Sequence, residues 1–300
     1  MLQAWQALLR QPALRRCLTT ATPTAASTAR STSTRAILLS DYKLFPYAID
    51  SVHLSFNLGE ITHVTSTLSV SLKTPLADSL PLLELDGQEL STTSVELLLA
   101  TGEESTLLTE GNGYSLSVSP DGDHVMKIKP PEKSHGFFQL KINTIIEPLK
   151  NTKLEGLYQS SGTFCTQCEA QGFRRITWFP DRPDVMSKFT VELIGAKKDC
   201  PILLSNGNLE SSSSVDDDTH KAVWVDPFYK PAYLFALVAG DLVPLHGQYT
   251  TRSGRDVRLS IYTQAHNSDK TLFAMESLIE SFQWDEDRFN LEYDLDLFNI

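Results

Sequence analysis

The stretch VHLSFNLGEITHVTSTLSVSLK (52–73) decides the fold. In VHLSFNL (52–58) and again in ITHVTSTLSVSLK (61–73), apolar and polar residues alternate with a period of two. Successive side chains of an extended strand point to opposite faces, so one face of such a sequence is buried and the other wetted. The two runs meet around Gly59-Glu60, which reads as a strand connection.

The pattern continues outward from there. LLELDG (82–87), SVELLLA (94–100), YSLSVS (114–119), HVMKIK (124–129) and FFQLKINTII (137–146) repeat it. Turn signals separate them, among them Glu110-Gly111-Asn112-Gly113 and Asp121-Gly122-Asp123. Further on, SKFTVELIG (187–195), KAVWVD (221–226), YLFALVAG (233–240) and DVRLSIYT (256–263) are again strand-like, with Asn206-Gly207-Asn208 as a tight turn. Closely spaced strands with short turns predict a mostly β fold, an antiparallel sandwich or saddle-like sheet. LESSSSVDDDT (209–219) reads as a polar loop; the adjacent Asp216, Asp217 and Asp218 lack the spaced ligands and glycine of a calcium loop.

The period changes at residue 268. Leu272, Met275, Ile279 and Phe282 fall on one helical face, with Ser268 or Asp269 as N-cap and an end near Trp284–Asp287. YDLDLFNI (293–300) then alternates as a strand. Its apolar residues Leu297, Phe298 and Ile300 would sit on an unblunted edge, so the expectation is a longer polypeptide cut at this point.

Composition narrows the function. Hydrophobic residues make up 41% and charged residues 21%, as in ordinary globular proteins. The net charge is −11; setting aside the five arginines of residues 1–40 leaves −16 for residues 41–300. A body this acidic repels phosphate backbones, so no nucleic-acid partner is expected. No apolar run is long enough for a membrane span. Residues 1–40 hold Arg10, Arg15, Arg16, Arg30 and Arg35, many Ala, Ser and Thr, and no acid. Leu2, Trp5, Leu8 and Leu9 add a short amphipathic turn. This is the composition of an organellar transit peptide, for mitochondrion or chloroplast; a disordered tail without an address is the alternative.

Chemistry concentrates in YQSSGTFCTQCEAQGFRRITWFPDRPDV (158–185). Cys165 and Cys168 form a Cys-x-x-Cys, which suggests thiol redox chemistry or half a zinc site; spectator thiols are the plainer reading. The seven histidines include no pair four apart, so no His-Glu-x-x-His helix is present. Glu169 sits among small, uncharged neighbours. Facing a cleft, its carboxylate would hold an ammonium group; the alternative is an ion pair with Arg174 or Arg175. Gln167 lies two residues earlier, on the same side of an extended strand, and is able to bond a peptide carbonyl. Arg174, Arg175, Asp181, Arg182 and Asp184 are expected to form a local ion-pair set around a Pro-Asp-Arg-Pro-Asp turn, with Trp178 and Phe179 packed on the sheet.

The segment EGLYQSSGTFCTQCEAQGFRRITWFPDRPDV (155–185) closely resembles the aminopeptidase N branch of the zinc aminopeptidases. LLSNGNLE (203–210), DPFYKPAYLFALVAGDL (226–242), TTRSGRDVRLSIYT (250–263) and WDEDRFNLEYDLDLFNI (284–300) extend the likeness in order. The resemblance implies an N-terminal β domain over 41–263, followed in 264–300 by one helix and one strand that open a thermolysin-like domain. It implies peptide substrates with a free N-terminus, and zinc in the full-length enzyme. Glu169 matches the glutamate that helps bind the substrate's α-amino group, and Gln167 the glutamine lining the first specificity pocket. The family's Gly-x-Met-Glu-Asn segment and zinc ligands have no counterparts in this sequence. The implied function is therefore the N-terminal part of an aminopeptidase, inactive by itself, with no catalytic residue and no bound metal of its own. A non-catalytic β-domain protein that binds peptides or a partner is the alternative.

Overall fold

The computed structural model describes residues 38–73, 79–99, 105–119 and 124–300. The Asp121–Asp123 turn and all but the last residues of the segment 1–40 lie outside them. The chain divides into two compact units, 1–43 and 44–300. In the first, Leu39–Asp41 form one 3-10 turn, closed by the Leu38 amide donating to the Asp41 carboxylate at 3.1 Å.

The second unit is mostly β. Its large sheet comprises β1 (Tyr47–Asn57), β2 (Thr62–Leu72), β3 (Leu83–Gly87), β4 (Ser91–Leu99), β5 (Ser105–Glu110), β6 (Gly113–Val118), β7 (His124–Ile128), β8 (Phe137–Ile146), β11 (Met186–Ala196), β13 (Asn208–Ser214) and β14 (Thr219–Pro231). Its spatial order is β13-β14-β11-β1-β2-β8-β4-β5-β6-β7-β3. A second sheet, in the order β12-β15-β10-β9, contains β9 (Gly156–Ser160), β10 (Thr163–Gln167), β12 (Ile202–Ser205) and β15 (Leu237–Gly240). Most pairs are antiparallel, as the alternating sequence predicts; β1 runs parallel to β11, and β5 to β6 over two positions.

The alternation builds the core. Val52, Leu54 and Phe56 of β1 and Val64, Leu68 and Val70 of β2 are all buried. The sequence reading started β1 at Val52, but the strand begins at Tyr47. A register shift between Ile49 and Ser51 leaves Asp50 and Ser51 both exposed, so the period of two breaks there and resumes with the opposite parity. Other boundaries also move. Residues 209–214 of the expected polar loop belong to β13, an edge strand paired with β14; Asn206-Gly207 is the turn into it, with Gly207 at φ +87°, where a β-carbon would fall 2.1 Å from the Val225 carbonyl oxygen. Serine-rich sequence gave no strand signal because β13 buries almost nothing.

A third sheet, β16 (Val243–Thr250), β17 (Asp256–Thr263) and β18 (Leu297–Asn299), carries the helix α1 (Leu272–Phe289). Val257, Leu259 and Ile261 of β17 pack against Met275, Leu278 and Phe282 of α1 as a separate core. β17 alternates like its predecessors, but its buried face meets the helix. The helix also starts later than expected. Residues Ala265–Lys270 are a 3-10 turn whose Ser268 hydroxyl donates to the Ala265 carbonyl, so Thr271 takes the N-cap position and Leu272 is 64% exposed. Asn290 closes its far end in the left-handed conformation, which this side chain tolerates. β18 is only three residues long and parallel to β17; Leu297 faces the large core and Phe298 the small one. No helix of the described residues is long and apolar enough to cross a membrane.

Candidate functional site

Gln167 and Glu169 lie at the end of a tightly held hairpin. β9 and β10 pair from Ser160–Thr163 to Gly156–Gln167. Their turn, Ser161-Gly162, has φ +50° and +82°, the positive pair that matches the twist of a two-residue hairpin. β10 is fixed on its other side by β15, where Phe164 faces Ala239 and the Leu237 amide donates to the Thr166 hydroxyl at 2.8 Å. Phe164 and Cys168 turn into the core; Gln167 and Glu169 are exposed on either side of Cys168. The Gln167 side-chain amide donates to the main-chain carbonyl of Glu169 at 3.1 Å, folding over the turn. The peptide bond from Glu169 to Ala170 is cis.

The turn after Glu169 is closed by the Gly172 amide, which donates to the Cys168 carbonyl at 2.8 Å. A β-carbon on Gly172 would come within 2.4 Å of the Gln167 carbonyl oxygen and 3.0 Å of the Gly156 amide. Two glycines therefore let the hairpin and the following 3-10 turn, Phe173–Arg175, meet backbone to backbone. Phe173 locks that turn: its ring meets those of Phe179, Phe189 and Phe235 at centroid distances of 5.1, 6.1 and 5.4 Å. Burying such a side chain contributes about 1.5–3 kcal/mol.

Arg174 and Arg175 bond to carboxylates other than that of Glu169. Arg174 is buried; its Nε donates to Asp181 Oδ2 at 3.2 Å and its Nη2 to the Asp181 carbonyl at 3.1 Å. Burial pushes Asp181 above the usual carboxylate range, and the bonds from Arg174 work against that shift. Arg175 donates to Glu155 at 3.1 Å and to Glu89 at 2.7 Å. Arg182 forks onto Asp184. Among the described residues neither Arg174 nor Arg175 bonds to Glu169. The expected local ion-pair set is only partly local: Arg175 reaches Glu89, and Asp86 accepts from the Asp181 amide at 3.1 Å. Asp86 and Glu89, far upstream in β3 and the turn after it, carried no sequence signal linking them to the segment. Trp178 and Phe179 are buried as expected, and the Trp178 indole donates to the Thr92 hydroxyl at 2.8 Å.

The thiols are poorly set for redox chemistry. Cys168 is 2% exposed, and burial, helped by the nearby Asp181 carboxylate, holds its thiol far above the normal range. A thiolate is the reactive form, so this group stays inert. Cys165 stands opposite Tyr158 across the hairpin. Among the described residues no three His, Cys, Asp or Glu side chains cluster as a metal site would need. The Asp216 carboxylate is occupied in accepting the amides of Asp218 and Thr219, which lowers its pKa and caps the turn.

Comparison with known proteins agrees with the fold. The model of the peptidase M1 N-terminal domain matches residues 51–234. Aminopeptidase N of Escherichia coli is 43% identical over 260 residues, covering 87% of this chain and 28% of the relative. Aminopeptidase N of Caulobacter vibrioides is 41% identical over 275 residues, covering 90% and 29%. The crystal structure of Legionella pneumophila aminopeptidase A in complex with aspartic acid superposes with a TM-score of 0.77 at 32% identity, over 87% of this chain and 29% of that one. The chain thus spans less than a third of the length of these relatives. With the family model covering most of its β structure, the chain belongs to the peptidase M1 N-terminal domain family.

Proposed function

We propose that this chain forms the substrate-amine-binding wall of an aminopeptidase N-type enzyme, which removes N-terminal residues from peptides. Glu169 holds the α-ammonium group of the substrate, and Gln167 lines the pocket for its first side chain. The observation that carries this reading is an exposed carboxylate on a rigid turn, left clear by arginines that bond elsewhere. The names of the relatives support the activity. Zinc, which activates the attacking water in enzymes of this type, would be held by residues outside this chain.

The test uses the polypeptide that joins this region to a zinc-binding part. Glu169→Gln removes a charge-assisted bond of about 1.5–3 kcal/mol, so KM for a free-amine peptide should rise about 10- to 150-fold. An unchanged KM would reject the role of Glu169. The 300-residue chain alone should show no peptidase turnover with or without added zinc. A non-catalytic peptide-binding module is the second reading; it predicts that this chain alone binds free-amine peptides, with Glu169→Gln abolishing the binding.

Residues 1–40 are proposed as an address to mitochondrion or chloroplast. Fused to a fluorescent reporter, they should deliver it to one of these organelles and be removed there. A reporter that stays in the cytosol would exclude that.

A further inference from the structure

The strand that sequence reading took for a loop carries a feature that the aminopeptidase function leaves unused. β13 forms one edge of the large sheet, bonded to β14 on one side only. Its residues Ser211, Ser212, Ser213 and Ser214 are all exposed, and the turn that follows holds Asp216, Asp217 and Asp218. In the antiparallel register Ser213 stands opposite Lys221, and Ser214 opposite His220.

From this arrangement we propose that Ser213 is a phosphorylation site for a serine/threonine kinase that selects carboxylates on the C-terminal side of its acceptor. The acceptor must be reachable as an extended segment, and an edge strand presents one without unfolding the sheet. The specificity element is the acid run, which starts three residues after Ser213. Asp217 and Asp218 extend it, and their side chains are not used in capping the turn. In the reaction the Ser213 hydroxyl oxygen forms a bond to the γ-phosphorus of ATP, the bond from that phosphorus to the β-phosphate oxygen breaks, ADP leaves, and the hydroxyl proton passes to the kinase's base.

The structure also provides for the product. Directly opposed residues of an antiparallel pair share a face and stand about 4.5–5.5 Å apart at their β-carbons. A phosphate on Ser213 carries a charge of about −1.5 to −2 at pH 7, and it would meet the Lys221 ammonium. At present Lys221 pairs with Glu192 at 3.1 Å, and Glu192 also accepts from the Ser55 hydroxyl at 2.9 Å. Phosphorylation therefore gives Lys221 a second, more highly charged partner and ties the edge strand to the two strands behind it. Ser214 lacks this arrangement, since His220 bonds the Cys200 carbonyl at 2.6 Å.

The test is phosphorylation of the folded 300-residue chain by an acidophilic serine/threonine kinase with ATP, with the site mapped by fragment mass spectrometry. One phosphate on Ser213 is expected. Ser213→Ala should lower the rate of incorporation at least tenfold, and the pair Asp216→Asn with Asp217→Asn about as much. Both variants change exposed residues, and circular dichroism verifies that they stay folded. The phosphorylated chain should melt higher than the unmodified one, and Lys221→Ala should remove that increase. No incorporation into the folded chain, or incorporation that Ser213→Ala leaves intact, would overturn the proposal.

Discussion

The main-chain amide of Gly172 donates a 2.8 Å hydrogen bond to the carbonyl oxygen of Cys168, closing the turn that carries Glu169. Gly172 has φ −89°, a conformation open to any residue, so what requires glycine there is space. Gly172→Ala puts a methyl group 2.4 Å from the Gln167 carbonyl oxygen, against backbone that has no rotamer to change. The expected cost is about 1–3 kcal/mol, measured by urea denaturation. An unchanged midpoint would mean that the hairpin and the 3-10 turn separate freely.

Arg174 and Asp181 are both buried. Asp181→Ala removes the carboxylate nearest the buried guanidinium, leaving it the longer pairing to Asp86 at 3.7 Å, and should cost up to about 3–5 kcal/mol. Replacing both residues with leucine should cost less than Asp181→Ala alone, because no buried guanidinium is left short of its nearest carboxylate; Asp86 is partly exposed to solvent. If the single variant proved as stable as the parent, the pair would contribute nothing to holding the turn.

Alkaline stability follows from two tyrosines. Burial, with the Glu132 carboxylate adding to it, pushes the Tyr47 phenol up to about 12. Burial, with Asp294 and Asp226, does the same to Tyr293, also to about 12. An unfolded chain loses these protons near the ordinary phenol value of about 10. Between those values the folded state binds more protons, so stability must fall as pH rises from 10 to 12. Denaturation across that range should show the fall, and Tyr47→Phe should flatten it in part. A Tyr47→Phe profile that coincides with the parent would reject the contribution of Tyr47.

Phe282 stands at the centre of the smaller core, with its ring 5.2 Å from Tyr249 and Tyr293 and 5.3 Å from Phe298. Phe282→Ala should cost about 3–5 kcal/mol. The loss should fall on β16, β17, β18 and α1, so amide exchange should quicken there before it does in β1 and β2. Uniform acceleration would show that the two cores unfold as one.

The strands were legible wherever one face is buried and the other wet. Phe137–Ile146 and Asp256–Thr263 match their sequence runs end to end. Reading failed where that contrast fades: β13 is polar apart from Leu209, and β9 and β10 are five residues each and too polar to show alternation. At the site, Gln167 and Glu169 stood out by their neighbours and by resemblance. The arginine partners did not, because Asp86 and Glu89 reach the segment through sheet pairing and a loop distant in sequence.

By itself the sequence determined that the chain is a mostly β member of its family with one amphipathic helix. Periodicity and local turn chemistry are properties of neighbouring residues, and they survive without any knowledge of contacts. Only the tertiary structure decided that Arg174 bonds Asp181 and Arg175 bonds Glu155 and Glu89, that Cys168 is sealed in the core, and that β17 packs with the helix. Which charge meets which, and which face of a strand finds which partner, depends on segments brought together from distant parts of the chain.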